Sequence, residues 1–373
     1  MKILNIITGL TRGGTEASLY RLILNDKQNV HIVLCLGKEG EYKKLYEDIG
    51  AKVLLLNATS KCFSLYKFIK LIYIIKEINP IIIQTWLYHS DFIGGLAAKL
   101  IGHRRIIWNI RHFNIYKNKL KFSQKIILKL LCWFSYLIPE KIISNSKSGI
   151  NYHQKLGYCK KKLIYIPNGF DENTFFSDNN MRKKWREKLL INENELVFGV
   201  VARWHEHKNY KLLFSSLSKL KSEKNIKWKT IISGPGISKN NIEITKMINY
   251  YNLNENVLIN DLIKDVNCIY NLIDFLILTS YAESFPNVIA ESMCSETPCV
   301  STSVGDSELI INKFGWISAS TKVDDFYYSL NKAIICFENK NKMLNIKKNC
   351  RIHIKDNFNI FKMVQSYNKI WKN

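Results

Sequence analysis

Residues Phe275 to Glu291 read FLILTSYAESFPNVIAE. An apolar, β-branched run, Phe275–Thr279, has the length and composition of a buried strand. The polar loop from Ser280 leads to Pro286, which suits the first turn of a helix because its missing N–H costs nothing there. The backbone at Phe285, Pro286, Asn287 and Val288 then lies over the C-terminal edge of the strand. Such a helix start is an anion seat. Glu283 falls in the loop, and Glu291, eight residues on, falls about two turns into the helix, so both can border one pocket at different depths. A carboxylate accepts hydrogen bonds from the hydroxyls of a neutral polyol. Two glutamates so placed are more often simply solvated, but the Pro-Asn helix start and Pro298 beyond it narrow that alternative.

Outward from this strand–loop–helix unit, both halves of the 373-residue chain alternate short apolar runs with longer amphipathic stretches. That is the rhythm of βαβ units around a parallel sheet, an α/β fold. In the first half the strands are expected at 3–8, 31–36, 52–56, 81–85, 105–110, 141–145 and 163–166. In the second they are expected at 196–202, 228–233, 257–259, 275–279 and 299–301. A helix over 63–78 stops at Asn79-Pro80, where proline disfavours its continuation. The turn Pro167-Asn168-Gly169 marks the boundary. Residues 1–170 are expected to form one domain and 171–355 another, with a last helix in 356–373 packing back on the first. Two such sheets imply a deep inter-domain cleft between them.

Two further loops could carry chemistry. Gly9 to Glu16, GLTRGGTE, follows the first strand and precedes an amphipathic helix, so Gly13 and Gly14 let backbone amides approach an anion. A plain glycine turn between strand and helix explains the same residues equally well, and the spacing is not that of a dinucleotide fingerprint. Val201 to Asn209, VARWHEHKN, stands where the first strand of the second half ends. Arg203 and Lys208 there can converge on a diphosphate, one as a planar fork and the other as a point charge; by itself an exposed basic loop is the commoner reading. His205 and His207 have no carboxylate partner at metal-binding spacing. No Asp-x-Asp occurs in the chain, so no metal and no cofactor is expected.

Net charge is +24, and residues 1–170 hold 27 Lys+Arg against 9 Asp+Glu. Such an excess calls for a polyanionic partner. Lys117, Lys119, Lys121, Lys125 and Lys129 precede or enter the apolar run 126–138, which contains Trp133, Phe134 and Tyr136. The run is shorter than the roughly 20 residues a bilayer-spanning helix needs, so the Lys117–Lys129 region is expected to attach to an anionic membrane surface. The nine cysteines are scattered without C-x-x-C pairs, and the chain opens directly on a strand pattern. A cytoplasmic protein, peripheral on the inner face of the cell membrane, is expected. A nucleic-acid-binding protein is the rival that charge alone suggests; no nucleic acid is expected, since the aromatics of the basic region follow a helical apolar face. A nicotinamide dehydrogenase is disfavoured by the missing glycine fingerprint.

Glu283 to Glu291 resembles the E-x7-E motif of glycosyltransferase family 4, the retaining enzymes of GT-B fold with two Rossmann-like domains. The Gly13-Gly14-Thr15-Glu16 loop, the Pro167-Asn168-Gly169 turn, Arg203 with Lys208, and Gly305-Asp306 occur in the family's order, so the similarity covers most of the chain. Trp86 to Gly95 and Trp108 to His112 are similar to segments of bacterial surface-polysaccharide members. The resemblance implies that Arg203 and Lys208 bind the donor's diphosphate and stabilise it as it leaves. It implies that Glu291 holds the ribose, Glu283 contacts the transferred sugar, and Gly13 and Gly14 pack near the phosphates. His112 matches a histidine near the donor sugar, although a structural hydrogen bond suits it as well. Phe285, Pro286, Asn287 and Val288 would complete the donor seat. The implied partners are a nucleotide-sugar donor and a lipid-diphosphate-linked saccharide acceptor. A nucleotide-sugar epimerase of the same fold is the alternative enzyme. His89 and Asp91 are expected to cap the helix that follows them, with a place lining the acceptor side as the alternative. Ser295-Glu296 departs from the family pattern, standing where many members have glycine.

Overall fold

The computed structural model describes residues 1–58, 64–111, 122–260 and 263–372, with the backbone alone at 122–124. The chain divides into two compact units, Met1–Gly169 with Ile360–Asn373, and Phe170–Asn359.

The first unit is a seven-stranded parallel sheet. Its strands are β1 (Lys2–Ile7), β2 (Val30–Cys35), β3 (Lys52–Leu55), β4 (Ile82–Trp86), β5 (Ile106–Ile110), β6 (Lys141–Ser144) and β7 (Leu163–Tyr165), in the order β3-β2-β1-β4-β5-β6-β7. The order reverses between β1 and β4, which leaves a crevice above their C-terminal ends. One face is covered by α1 (Gly14–Asn25) and α15 (Ile360–Lys372), which bury Leu19, Leu22, Tyr367 and Trp371. The other carries α3 (Leu65–Ile78), α4 (Tyr88–Leu100) and α5 (Phe122–Leu137) over Leu71, Ile75, Ala97 and Leu131. Local sequence sets the ends of α3. Ser64 Oγ accepts from the Lys67 amide at 3.4 Å, and Asn79 closes the helix in the left-handed region at φ 45° before Pro80.

The second unit is a six-stranded parallel sheet, built from β8 (Leu196–Val201), β9 (Trp228–Ser233), β10 (Val257–Ile259), β11 (Phe275–Leu278), β12 (Cys299–Thr302) and β13 (Trp316–Ser318). Its order, β10-β9-β8-β11-β12-β13, reverses between β8 and β11. Strands alternate with helices, of which α8 (Tyr210–Glu223), α10 (Val266–Leu272) and α11 (Asn287–Cys294) border the loops discussed below. Phe170 is paired with Asn359 inside this unit, which draws the chain at both ends of the unit together.

Three expectations need correction. The edge strand β13 was not foreseen, because WIS is too short to show alternation. The helix over 63–78 begins at Leu65, and Phe63 lies outside the described residues. His89 and Asp91 do not cap α4: the helix has Leu87 at its N-cap with no side-chain cap bond. Asp91 instead lies within the helix, wholly buried, and accepts a hydrogen bond from Thr85 Oγ1 of β4 at 2.5 Å.

Candidate functional site

The loops after β8 and β11 meet at the point where the strand order of the second unit reverses. Beyond β8 the chain passes Ala202 and Arg203, makes a short 3-10 turn over Glu206–Lys208, and enters α8 through its N-cap, Asn209. Asn209 holds φ 53°, and its side chain accepts from the Leu212 amide at 3.2 Å. Asparagine tolerates that left-handed geometry and caps at the same time. The Tyr281 amide donates to His207 O at 2.8 Å and Thr279 Oγ1 donates to Lys208 O at 2.9 Å, tying the two loops together.

Side chains meet across that junction. Lys208 Nζ lies 2.5 Å from Glu283 Oε1, and Ser280 Oγ donates to the same oxygen at 2.8 Å. Both charged side chains keep less than a fifth of their surface, 19% for Lys208 and 16% for Glu283. Eight residues on, Glu291 lies in the second turn of α11, where Tyr270 of α10 donates its hydroxyl to Oε2 at 2.8 Å. Arg203 is exposed, with no hydrogen bond or ion pair among the described residues. Burial, Arg203 and His207 together lower the pKa of His205, so the loop's positive field is already felt by its neighbour.

Two glycines let the loops after β12 and β9 lie close against these two. Gly305 holds φ 55° and lies against the carbonyls of Glu283 and Ser284, where any side chain would collide. The Asp306 amide then donates to Ser284 O at 3.1 Å. Gly234, at φ 145°, does the same for the Ala202 carbonyl just before Arg203.

Pro286 is the N-cap of α11 rather than its first helical residue. Phe285 turns inward, stacked on Phe170 with ring centres 6.1 Å apart and edge-on to Phe358 at 5.6 Å. Asn287 and Val288 open the helix, half-buried. Thus Phe285 anchors the loop by packing.

In the first unit Gly13 is the N-cap of α1 and Gly14 its first residue. His112 lies outside the described residues, as do Lys117, Lys119 and Lys121, whereas Lys125 and Lys129 are exposed on α5. The neighbouring Arg111 was not singled out from sequence. Its buried guanidinium donates to Asn109 Oδ1 (2.8 Å), Ser18 Oγ (2.9 Å), Tyr367 Oη (2.8 Å) and Asn168 Oδ1, and lies 4.7 Å from the centre of the Trp86 ring. Burial lowers its pKa, and no carboxylate pairs with it among the described residues. Tyr270 and Ser280, which brace the two glutamates, were also missed; nothing in their local sequence marks them.

Comparisons with known proteins bear on the family and the fold. The family model described as "Glycosyltransferase Family 4" matches residues 12–174, and that described as "Glycosyl transferases group 1" matches residues 181–351. The chain is a glycosyltransferase of GT-B fold, belonging to family 4. It is 25% identical to the Escherichia coli UDP-Gal:alpha-D-GlcNAc-diphosphoundecaprenol alpha-1,3-galactosyltransferase, over 100% of this chain and 95% of that protein. It is 22% identical to the Campylobacter jejuni N,N'-diacetylbacillosaminyl-diphospho-undecaprenol alpha-1,3-N-acetylgalactosaminyltransferase, over 95% of each. Among solved structures, Anabaena HepE in complex with UDP-glucose superimposes with a TM-score of 0.86 at 18% identity, covering 100% of this chain and 99% of that one.

Proposed function

We propose that this protein is a retaining hexosyl- or N-acetylhexosaminyltransferase that moves a sugar from a UDP-linked donor to a saccharide carried on a lipid diphosphate. The product belongs to a bacterial surface polysaccharide of the O-antigen or capsule kind, and the enzyme works in the cytoplasm, peripheral on the inner face of the cell membrane. The observation that carries the proposal is the pairing of Lys208 with Glu283 above the reversal point of a parallel sheet, the place where such folds bind nucleotides. The names of the Escherichia coli and Campylobacter jejuni relatives, both with diphosphoundecaprenol-linked acceptors, support the acceptor class. The UDP-glucose complex of Anabaena HepE supports the donor.

The residues divide the work by their chemistry. Arg203 and Lys208 meet the negative charge that grows on the diphosphate as it departs, Lys208 already held in place by Glu283, without a metal ion. Glu283 has Oε1 taken by Lys208 and Ser280, which leaves Oε2 to accept from a hydroxyl of the sugar. Glu291, braced by Tyr270, accepts from the ribose. The bond from the anomeric carbon to phosphate breaks while the acceptor oxygen bonds to the same face. The acceptor proton passes to the departing phosphate oxygen, so UDP and an extended saccharide are the products.

A thermal-shift screen against nucleoside diphosphates tests this reading. UDP should raise the melting temperature by binding the native state, and Glu291→Ala should abolish the rise. A protein stabilised by no nucleoside diphosphate would refute it.

A further inference from the structure

Outside the candidate site, the helical layer formed by α3, α4 and α5 carries more apolar surface than its core uses. On α3, Leu71 and Ile75 are buried against the sheet. Its far side nevertheless exposes Leu65 (73%), Tyr66 (68%), Ile69 (56%) and Tyr73 (67%). Leu65, Ile69 and Tyr73 recur every four residues and so line one outward stripe. The same doubling occurs on α5, where Leu128 and Leu131 point inward while Ile126, Leu130, Trp133 and Leu137 lie exposed at intervals of four, three and four. A groove of about 480 Å³ opens beside that stripe between Leu130, Trp133 and Tyr136.

The two stripes lie on helices of one layer. Helix α4 packs against both α3 and α5 and ends on exposed Leu100. The exposed charges of the three helices are Lys70, Lys76, Lys99, Lys125 and Lys129, against the lone acid Glu77. Exposed apolar stripes of this kind mark an interaction surface, and the lysines on the same helices select a partner with anionic groups beside an apolar interior. A bilayer containing anionic lipid has that chemistry: tyrosine and tryptophan settle at head-group level, and lysine stems reach to the phosphates while their chains cover apolar surface.

We propose that the outer face of the α3–α4–α5 layer is a single membrane-docking surface, and that α3 enters the head-group region of an anionic bilayer alongside α5. This rests on the reading of the chain as a peripheral membrane enzyme, and adds to it a second inserting element outside the Lys117–Lys129 region. Docking through two helices, unlike docking through one, fixes how the unit is oriented on the membrane.

Cosedimentation of the full chain with phosphatidylcholine vesicles containing phosphatidylglycerol tests it, with pure phosphatidylcholine vesicles as the control. Three forms are compared: wild type, the α3 variant Leu65→Ser/Ile69→Ser/Tyr73→Ser, and the α5 variant Leu130→Ser/Trp133→Ser. All substituted side chains are on the surface; far-UV circular dichroism and the melting temperature check that each variant folds. Wild type should bind the anionic vesicles, less so as salt rises, and each variant should lose about tenfold or more in partitioning. Wild-type binding by the α3 variant, with loss by the α5 variant, would overturn the role of α3 and leave membrane attachment standing. Failure of the wild type to bind at low salt would overturn both. A change of oligomeric state in the α3 variant with unaltered vesicle binding would overturn the proposal by assigning the stripe to a second copy of the chain.

Discussion

Lys208 and Glu283, 75 residues apart in sequence, form an ion pair of 2.5 Å at the junction of two loops. The pair presents both signs of charge at the reversal point, the cation suited to phosphate and the anion to hydroxyl groups. Removing the cation alone, as in Lys208→Ala, should cost about 100-fold or more in kcat/KM, the scale on which a preorganised charge at a developing anion acts. Folding should lose about 1–3 kcal/mol, since Glu283 is left largely buried without its cation but keeps the hydrogen bond from Ser280. Steady-state kinetics beside a denaturant titration separates the two, and a folded Lys208→Ala enzyme with undiminished turnover would remove Lys208 from the mechanism.

Tyr270 touches the proposed ribose ligand through one hydroxyl, 2.8 Å from Glu291 Oε2. Tyr270→Phe keeps the ring in the core and deletes only that bond, so nucleotide affinity should fall about three- to tenfold, as expected for one hydrogen bond of about 1 kcal/mol. Glu291→Ala should cost more, because the carboxylate itself is lost. Calorimetric titration with UDP gives both numbers; equal affinity in all three proteins would argue that the ribose lies elsewhere.

Strand positions in both sheets were largely legible, because strands buried on both faces are written as unbroken apolar runs such as Phe275–Leu278 and Leu196–Val201. The short edge strand β13 lacked such a run. Lys208 and Glu283 could be named from the strand–loop–helix rhythm and the resemblance, but their pairing could not, since it depends on two loops 75 residues apart being tied together by the bonds from the Tyr281 amide to His207 O and from Thr279 Oγ1 to Lys208 O. Asp91 was misread because a carboxylate near a helix start usually caps it, whereas here burial between α4 and β4 prevails. Ser295-Glu296 shows the opposite case. Glu296 adopts φ 60°, a conformation that glycine takes without strain, so the departure from the family pattern falls where the backbone favours glycine.

The proposed roles of the same charges predict transfer without a metal ion. If Arg203 and Lys208 neutralise the leaving diphosphate, transfer measured with excess EDTA should proceed at close to the rate found with added magnesium or manganese. Activity lost in chelator and restored only by a divalent ion would show that these side chains do not suffice.

Burial raises the pKa of Asp91 from 3.8 to about 7, against the opposing hydrogen bonds from Thr85 and the Asn109 backbone. Its Oδ2 is buried with no hydrogen-bond partner among the described residues. An acid raised in the folded state favours its protonated form there, so its contribution to stability is complete below about pH 4 and is lost as pH rises through 7. Asp91→Asn should therefore match wild type near pH 4 and exceed it at pH 8 by on the order of 2–4 kcal/mol. Urea titrations across that range check the difference; a gap that does not widen with pH would mean Asp91 is ionised in the fold throughout.

Trp371, two residues from the chain end, is fully buried in the first unit. Its indole Nε1 donates to Gln84 Oε1 at 2.9 Å and its carbonyl accepts from Arg105 at 2.8 Å, so the terminal helix is bonded to β4 and to the residue preceding β5. The ring also lies 5.6 Å from His31, which is paired with Asp26 at the end of α1. Trp371→Ala removes a large aromatic from a packed core and leaves Gln84 Oε1 without its donor, so it should cost about 3–5 kcal/mol. Trp371→Phe retains most of the ring volume and should recover more than half of that loss. If α15 is an integral part of the first unit, a chain ending at Asn359 must unfold more easily than either variant; an unchanged unfolding midpoint in that truncation would show that the sheet closes its own core without the helix.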